Sequence, residues 1–183
     1  MPVVGRTLKL DSGDSVELLE PAAANDGAFT RIRFVFAAGG LRVPPHRHLE
    51  QDETFEILSG TLGYTLRGKE HRAAAGSTVT LPRGIIHQHF SADPEETVVI
   101  QTMRPGLDFD YIAENLFGLG TEGRGIAGLD SIIQGLVWVR KMKGPFYLGA
   151  PLWLQRSLAV LMTPIAYRFG YRAVYKRFSG EEW

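Results

Sequence analysis

The first hundred residues alternate between short apolar runs and turn-forming residues. Residues 29–37 show the rhythm most clearly, because Ile32, Phe34 and Phe36 fall on one side and arginines on the other. Alternation of this kind is typical of a strand with one buried face. Similar short runs, separated by Gly, Pro and Asp, continue to Met103. This rhythm predicts an antiparallel sandwich or barrel, and it argues against alternating β-α units.

The pattern changes after Pro105 and Gly106. Apolar residues then recur at the three- and four-residue spacing of an amphipathic helix, and Asp108 stands where an N-terminal cap is expected. A glycine-rich connection over residues 118–128 precedes a second amphipathic pattern, for which Asp130 is the candidate cap.

A third helical pattern covers residues 152–178, with a kink or break expected at Pro164. We therefore divide the chain into a β domain at 1–105 and a helical segment at 106–183. The helical segment is rich in Leu, Trp, Phe, Tyr, Met and Val. Exposing all of that surface is unusual for a monomer, so we expect it to pack on the β domain or on a partner subunit, which favours a homodimer.

Charge and composition narrow the functional classes. The 183 residues carry no net charge and no cysteine. Thiolate ligands, disulfides and a cysteine nucleophile are thereby excluded, and no general attraction to nucleic acid is expected. The N-terminus lacks a basic segment followed by an apolar run, and the apolar stretches near the C-terminus are short. The expected location is the cytoplasm.

Basic residues are concentrated in the C-terminal part, where the stretch from Arg140 onward has eight Lys or Arg and two acids. Arg168, Arg172 and Lys176 recur every four residues and would share one face of a helix. Two interpretations stay open. The favoured one is a helix packed on the β domain or a second subunit with its basic face in water. The other is a helix that contacts a membrane surface.

Four of the five histidines lie in two short stretches of the chain. His46 and His48 are two residues apart, so on a strand they project from one face, and His87 and His89 repeat this arrangement. With Glu53 they make a set of nitrogen and oxygen donors that divalent transition metals accept.

The two stretches resemble the two motifs of the cupin superfamily. The first motif is matched at each fixed position: Gly40, His46, His48, Glu53 and Gly60. The second is matched at Gly76, Pro82, Gly84 and His87, but Ser91 stands where Asn is usual. The resemblance covers roughly residues 30–105.

The resemblance implies a double-stranded β-helix, or jelly-roll barrel, with metal ligands His46, His48, Glu53 and His87. Fe(II) is the first expectation, followed by Mn, Ni or Zn. It favours a dioxygenase-like, metal-dependent enzyme acting on a small organic molecule. A non-catalytic binding or sensing module and a metal-dependent isomerase or cyclase remain open. Because free imidazole titrates near ~6.5, we expect metal binding to weaken as the pH falls toward 5.

Several neighbouring residues are candidates for supporting roles. His89, or the oxygen of Glu53 that does not bind metal, is the candidate for moving a proton, although His89 also fits a core histidine. Gln101 is a candidate pocket residue, and Glu50 an alternative ligand. Aromatic candidates for the pocket wall, or simply for the core, are Tyr64, Phe34 and Phe36.

Overall fold

The computed structural model describes residues 1–125 and 128–183, and strands dominate its first half. Within these residues the strands are β1 (Thr7–Lys9), β2 (Ser15–Glu20), β3 (Thr30–Phe36), β4 (His46–His48), β5 (Asp52–Ser59), β6 (Thr61–Leu66), β7 (Lys69–Ala74), β8 (Thr78–Leu81), β9 (His87–Ser91), β10 (Thr97–Arg104) and β11 (Phe146–Leu148). A short 3₁₀ helix, Ala22–Asn25, follows β2.

The strands form two antiparallel sheets. The first has the order β1-β2-β3-β10-β5-β8, and the second has the order β11-β4-β9-β6-β7. Several neighbouring strands, such as β3 and β10 or β4 and β9, are distant in sequence, as in a jelly roll. The predicted fold class, a β jelly roll followed by C-terminal helices, is confirmed.

The hydrophobic core lies between the sheets. The alternation predicted for β3 is present, since Ile32, Phe34 and Phe36 are buried and Arg33 is exposed. Leu62 from the second sheet joins the same cluster as residues from the first. This burial of one face of each sheet is the main hydrophobic contribution to the fold.

The helices are α1 (Phe109–Thr121), α2 (Gly128–Lys141), α3 (Leu152–Arg168) and the short α4 (Lys176–Ser179). Helix α1 packs against the first three strands, and the Phe117 ring lies edge-on to Phe34 at 5.3 Å. Asp108 does not cap α1 with its side chain. Its carboxylate instead accepts a hydrogen bond from the Lys143 backbone N–H at 2.6 Å.

The expected flexible connection at residues 118–128 begins later than predicted, because α1 continues through Gly118 to Thr121. A Cβ atom at Gly118 would lie 2.6 Å from the Phe178 ring. This glycine therefore permits close packing of the C-terminus on α1. Residues 126 and 127 of the connection lie outside the described residues.

The third helical segment is shorter than predicted. Helix α3 passes through Pro164 without a break but ends at Arg168, and Gly170 follows with a positive φ of 84°. Arg172 is therefore not on this helix; it pairs with Glu182 at 3.1 Å. The prediction of one basic face shared by Arg168, Arg172 and Lys176 is wrong, because the chain turns between them.

Strand β11 was not expected in the C-terminal segment. It pairs with β4 in the register Phe146↔His48, Tyr147↔Arg47 and Leu148↔His46. The strand that carries two histidines is thus covered on its outer edge by a distant part of the chain. In the described part of the chain, none of the helices is both long enough and apolar enough to span a bilayer.

Candidate metal centre

Three adjacent structural elements bring the histidine-rich stretches together. Strands β4 and β9 are antiparallel neighbours, and His46 lies directly opposite His87. His48 points to the same side as His46, because side chains two residues apart on a strand share a face. Strand β5 of the facing sheet supplies Glu53 from across the core.

One donor atom from each of His46, His48, Glu53 and His87 lies within 4.8 Å of the other three. All four side chains are buried, and none is more than 5% exposed. The structure therefore assembles the four residues that the motifs selected. Three imidazole nitrogens and a carboxylate oxygen suit several divalent transition metals, and this donor set does not distinguish among them.

Backbone carbonyls orient two of the imidazoles. His46 Nδ1 lies 2.8 Å from the Pro44 carbonyl oxygen, and His87 Nδ1 lies 2.9 Å from the Ile85 carbonyl oxygen. A carbonyl can only accept, so each Nδ1 carries the proton and each Nε2 presents a lone pair. Donation of the second ring nitrogen to a carbonyl is the usual support for a metal-binding histidine.

With the histidines in these tautomers, three acceptor atoms lie close together: His46 Nε2, His87 Nε2 and Glu53 Oε2. His87 Nε2 lies 3.2 Å from His46 Nε2 and 2.9 Å from Glu53 Oε2. Because the His87 proton is on Nδ1, neither short approach is a hydrogen bond, and Glu53 Oε2 has no donor among the described residues. Buried acceptors that face one another are costly unless a cation lies among them. The residues present therefore fit a divalent metal.

Gln101 from β10 contacts the second carboxylate oxygen of Glu53, Oε1. Its side-chain amide donates a short hydrogen bond to Glu53 Oε1, and both side chains are buried. Gln101 was expected only as a pocket residue. Its contact could not be anticipated without the register, in which Gln101 lies opposite Phe55, two residues along β5 from Glu53.

Burial controls the protonation of the site. Loss of solvation lowers the pKa of His46 to about 4 and those of His48 and His89 to about 3. Burial acts in the opposite direction on Glu53, but the surrounding imidazoles, chiefly His89, bring its pKa below the usual range. His46, His48 and His89 therefore stay neutral in mild acid. Proton competition for a metal at His46 and His48 is therefore expected nearer pH 4 than the value of 6.5 for free imidazole.

Aromatic rings surround the histidines. Phe146 of β11 lies 6.0 Å from His46, and Phe109 of α1 lies 6.2 Å from His48, measured between ring centroids. Both rings come from the C-terminal segment. Sequence reasoning missed them as site neighbours, although an aromatic pair after Gly144-Pro145 was a weak signal for a short strand.

His89 lies beside the four-residue cluster. Its ring is 5.7 Å from His46 and packs against Phe55 at 4.9 Å. Its Nδ1 atom is buried and has no hydrogen-bond partner in the described part of the chain. His89 thus has the position for a proton-carrying or substrate-contacting role, within an environment that also suits a core residue.

The remaining residues that the sequence singled out lie outside the histidine–glutamate cluster. Glu50 is exposed and is not part of the cluster. Phe34 and Phe36 are stacked in the core at 4.1 Å, and Tyr64 packs against that core partly buried. Ser91, which departs from the motif, donates to the Glu95 carbonyl oxygen at 2.9 Å and so stabilises the turn before β10.

Comparison with known proteins agrees with the fold and the motifs. Residues 32–103 match the family model described as "Cupin domain". This part of the chain is a cupin domain. The predicted resemblance to the cupin superfamily is confirmed, and the histidine–glutamate cluster lies within the matched residues.

The cupin domain has a distant curated relative in the putative germin-like protein 8-1 of Oryza sativa subsp. japonica. The two are 28% identical over 103 residues, and the match covers 50% of this chain and 47% of the relative. The match therefore spans about half the length of that protein.

Two solved structures also match part of this chain at low sequence identity. KdgF from Halomonas sp. is 18% identical and covers 55% of this chain and 86% of its own, with a TM-score of 0.47. A recombinant oxalate oxidase in complex with glycolate is 25% identical, and the match covers 57% of this chain and 58% of the oxidase chain, with a TM-score of 0.45.

Proposed function

We propose that the protein is a metal-dependent enzyme that binds one divalent metal through His46, His48, Glu53 and His87. The observation that carries the proposal is the close approach of His46 Nε2, His87 Nε2 and Glu53 Oε2, with both histidine protons held elsewhere. Such a cluster of lone pairs is arranged for a cation.

The best-supported reaction class is a dioxygenase-like oxidation of a small organic molecule. When bound, a redox-active metal such as Fe(II) or Mn(II) supplies Lewis acidity and an electron source for dioxygen chemistry. The phenyl rings of Phe109, Phe146 and Phe55 exclude water from the histidines. A dry site strengthens every electrostatic interaction inside it.

We assign the proton-handling role to His89 rather than to Glu53. Gln101 occupies Glu53 Oε1, and Oε2 lies among the ligand atoms, so neither oxygen is left for proton transfer. The Nδ1 atom of His89 is buried without a partner among the described residues, and the lowered pKa keeps the ring neutral. A neutral imidazole can accept a proton at one nitrogen while donating at the other.

A second candidate function is non-catalytic binding or sensing of a small molecule. The observation in its favour is burial, because none of the four proposed ligands is more than 5% exposed. In this conformation a substrate reaches them only if surrounding side chains such as Phe109 or Phe146 move. A module that binds one ligand for a long time tolerates such an arrangement better than an enzyme with rapid exchange.

Oxygen consumption by anaerobically purified protein, loaded with Fe(II), Mn(II), Ni(II) or Zn(II) in turn, tests the proposal. A panel of small enolisable and hydroxylated acids serves as substrates. We expect uptake of oxygen with Fe(II) or Mn(II), loss in His48→Ala, and a reduction of about 10²-fold or more in His89→Gln. The exposed His71→Gln variant is the matched control. Product without oxygen uptake would indicate an isomerase or cyclase, and binding without product would indicate the sensing alternative.

A further inference from the structure

Helix α3 has its polar and apolar faces reversed. The residues that α3 buries are small or polar: Gln155, Ala159, Thr163 and Ala166. These side chains lie on one side of the helix, and α3 packs mainly against α2. Its large apolar side chains lie on the other side, in solvent.

The exposed apolar residues form one continuous surface. On α3 and its C-terminal neighbour, the most exposed are Trp153 at 70%, Leu161 at 67% and Phe169 at 75%. Val160 and Ile165 fill the space between them at 54% and 48%. Residues spaced by four, seven and eight positions share one side of a helix, which relates Trp153 to Val160 and Leu161, and Leu161 to Ile165. Phe169 follows directly after the helix. We call these five residues the α3 apolar surface.

The charge around this surface is mostly positive, and the acid near it, Glu182, is paired with Arg172. Residues 131–180 contain eight Lys or Arg and no Asp or Glu. Arg156 and Arg168 are exposed on α3 itself, and Lys141 lies 5.4 Å from the ring of Tyr167 beside it. In the described part of the chain no carboxylate lies within ion-pair distance of these three cations.

We infer that the α3 apolar surface docks on an anionic phospholipid bilayer, with the helix lying in the plane of the interface. Lipid headgroups supply the negative charges that the helix lacks, and the acyl boundary accepts Trp153, Leu161 and Phe169. Aromatic residues near both ends of the apolar surface, Trp153 and Phe169, suit the region between headgroups and acyl chains.

A second copy of the chain is a poorer occupant of the same surface. A twofold contact between two α3 helices would bring Arg156 and Arg168 of each copy against a face that carries no acid. Like charges facing each other across an interface oppose association. The charge pattern therefore favours lipid over a homodimer formed through this helix.

Co-sedimentation of the full chain with vesicles tests the inference. One set of vesicles is phosphatidylcholine alone, and in the other about a third of the lipid is phosphatidylserine. We expect binding to the anionic vesicles, weak binding to the neutral ones, and loss of binding as NaCl rises from about 0.1 M to about 0.5 M. A blue shift of the exposed Trp153 fluorescence should accompany binding.

Two pairs of variants separate the charge from the apolar contribution. Arg156→Gln with Arg168→Gln should weaken binding to anionic vesicles roughly 25-fold, at roughly fivefold for each arginine near the surface. Trp153→Ser with Leu161→Ser should weaken it by about tenfold or more. The matched controls, Arg33→Gln with Lys69→Gln and Leu58→Ser with Val4→Ser, replace exposed residues elsewhere and should bind as wild type.

Absence of binding to anionic vesicles, or equal binding to neutral and anionic vesicles, would overturn the inference. Sedimentation velocity then identifies the other occupant. A dimer that dissociates in the Trp153→Ser, Leu161→Ser variant would assign the surface to a second copy. The wild-type salt dependence requires no variant, so misfolding of a variant does not decide the test.

Discussion

The interior of the cupin domain and the outer face of α3 depart from the usual distribution of residues in opposite ways. In the domain, ionisable side chains such as His48 and Glu53 are buried at 2% and 1% exposure. On α3, Trp153 and Leu161 are about two-thirds exposed. An isolated apolar side chain in solvent is common, whereas a continuous apolar surface and a buried unpaired carboxylate are both uncommon.

The two regions differ in the kind of partner that each one requires. The buried cluster needs a cation, because its lone pairs face each other and its supporting hydrogen bonds come from fixed groups such as the Pro44 and Ile85 carbonyls. The α3 apolar surface needs an area of apolar contact with negative charge at its border. The first region is preorganised for a small ligand, and the second is suited to an extended surface.

The largest expected effect concerns acid stability of the metal-free protein. His46, His48 and His89 have native pKa values of about 4, 3 and 3, against 6.5 when unfolded. The unfolded state therefore takes up their protons first, and stability falls as the pH drops below 6.5. At pH 5 the loss is about 2 kcal/mol for each histidine relative to neutral pH.

One buried acid acts in the opposite direction. Burial raises the pKa of Asp110 to about 6, so the native state takes up its proton first and gains about 1 kcal/mol at pH 5. The net loss between pH 7 and pH 5 is then about 5 kcal/mol. Urea unfolding with a chelator present measures it. His89→Gln should reduce the loss by about 2 kcal/mol, while His71→Gln should not, and equal losses in both would contradict the account.

The next largest effect on stability is expected from replacing a tryptophan by alanine in α2, in contrast to the same replacement in α3. Trp138 of α2 is 1% exposed and donates its indole N–H to the Ala173 carbonyl oxygen at 2.9 Å. Trp138→Ala should therefore destabilise the protein by about 3–5 kcal/mol. Trp153→Ala on α3 should change the free energy of unfolding by less than about 0.5 kcal/mol. Chemical denaturation in the absence of lipid compares them, and a large loss in Trp153→Ala would mean that the α3 apolar surface is covered in solution.

A smaller effect on metal affinity is expected at Gln101, whose side-chain amide donates a hydrogen bond to the proposed ligand Glu53. Gln101→Leu removes the hydrogen bond to the buried carboxylate, and we expect about 10–100-fold weaker metal binding. Stability of the metal-free protein should fall by about 1–3 kcal/mol. Gln88→Leu, on the outward side of β9, is the control. Unchanged metal affinity in Gln101→Leu would show that the carboxylate is positioned by other groups.

Much of the site could be predicted from the sequence because its determinants are local. The His-x-His spacing places His46 and His48 on one face of any strand, and the second motif brings His87 opposite through strand order. The carbonyl partners of the imidazoles are also local, each two residues earlier in the chain. Gln101 was harder to assign, because its partner depends on the register between two strands 48 residues apart.

The C-terminal segment was predicted less well, and the reason is physical. The large apolar residues of α3 lie mostly on its solvent side, so apolar periodicity does not select the face that the helix buries. The small residues Ala159 and Ala166 allow close approach to α2, and the larger ones remain outside. The pairing of β11 with β4 depends on contacts about a hundred residues apart, which a pattern in one segment cannot reveal.

Metal content per chain tests the central claim most directly, namely that His46, His48, Glu53 and His87 hold one divalent metal. Wild type, His48→Ala and the exposed-histidine control His71→Ala are loaded with metal, freed of excess by gel filtration and measured by elemental analysis. We predict about one equivalent per chain in wild type and His71→Ala, and loss of most of it in a folded His48→Ala. Failure of wild type to bind, or full metal content in His48→Ala, would contradict the account.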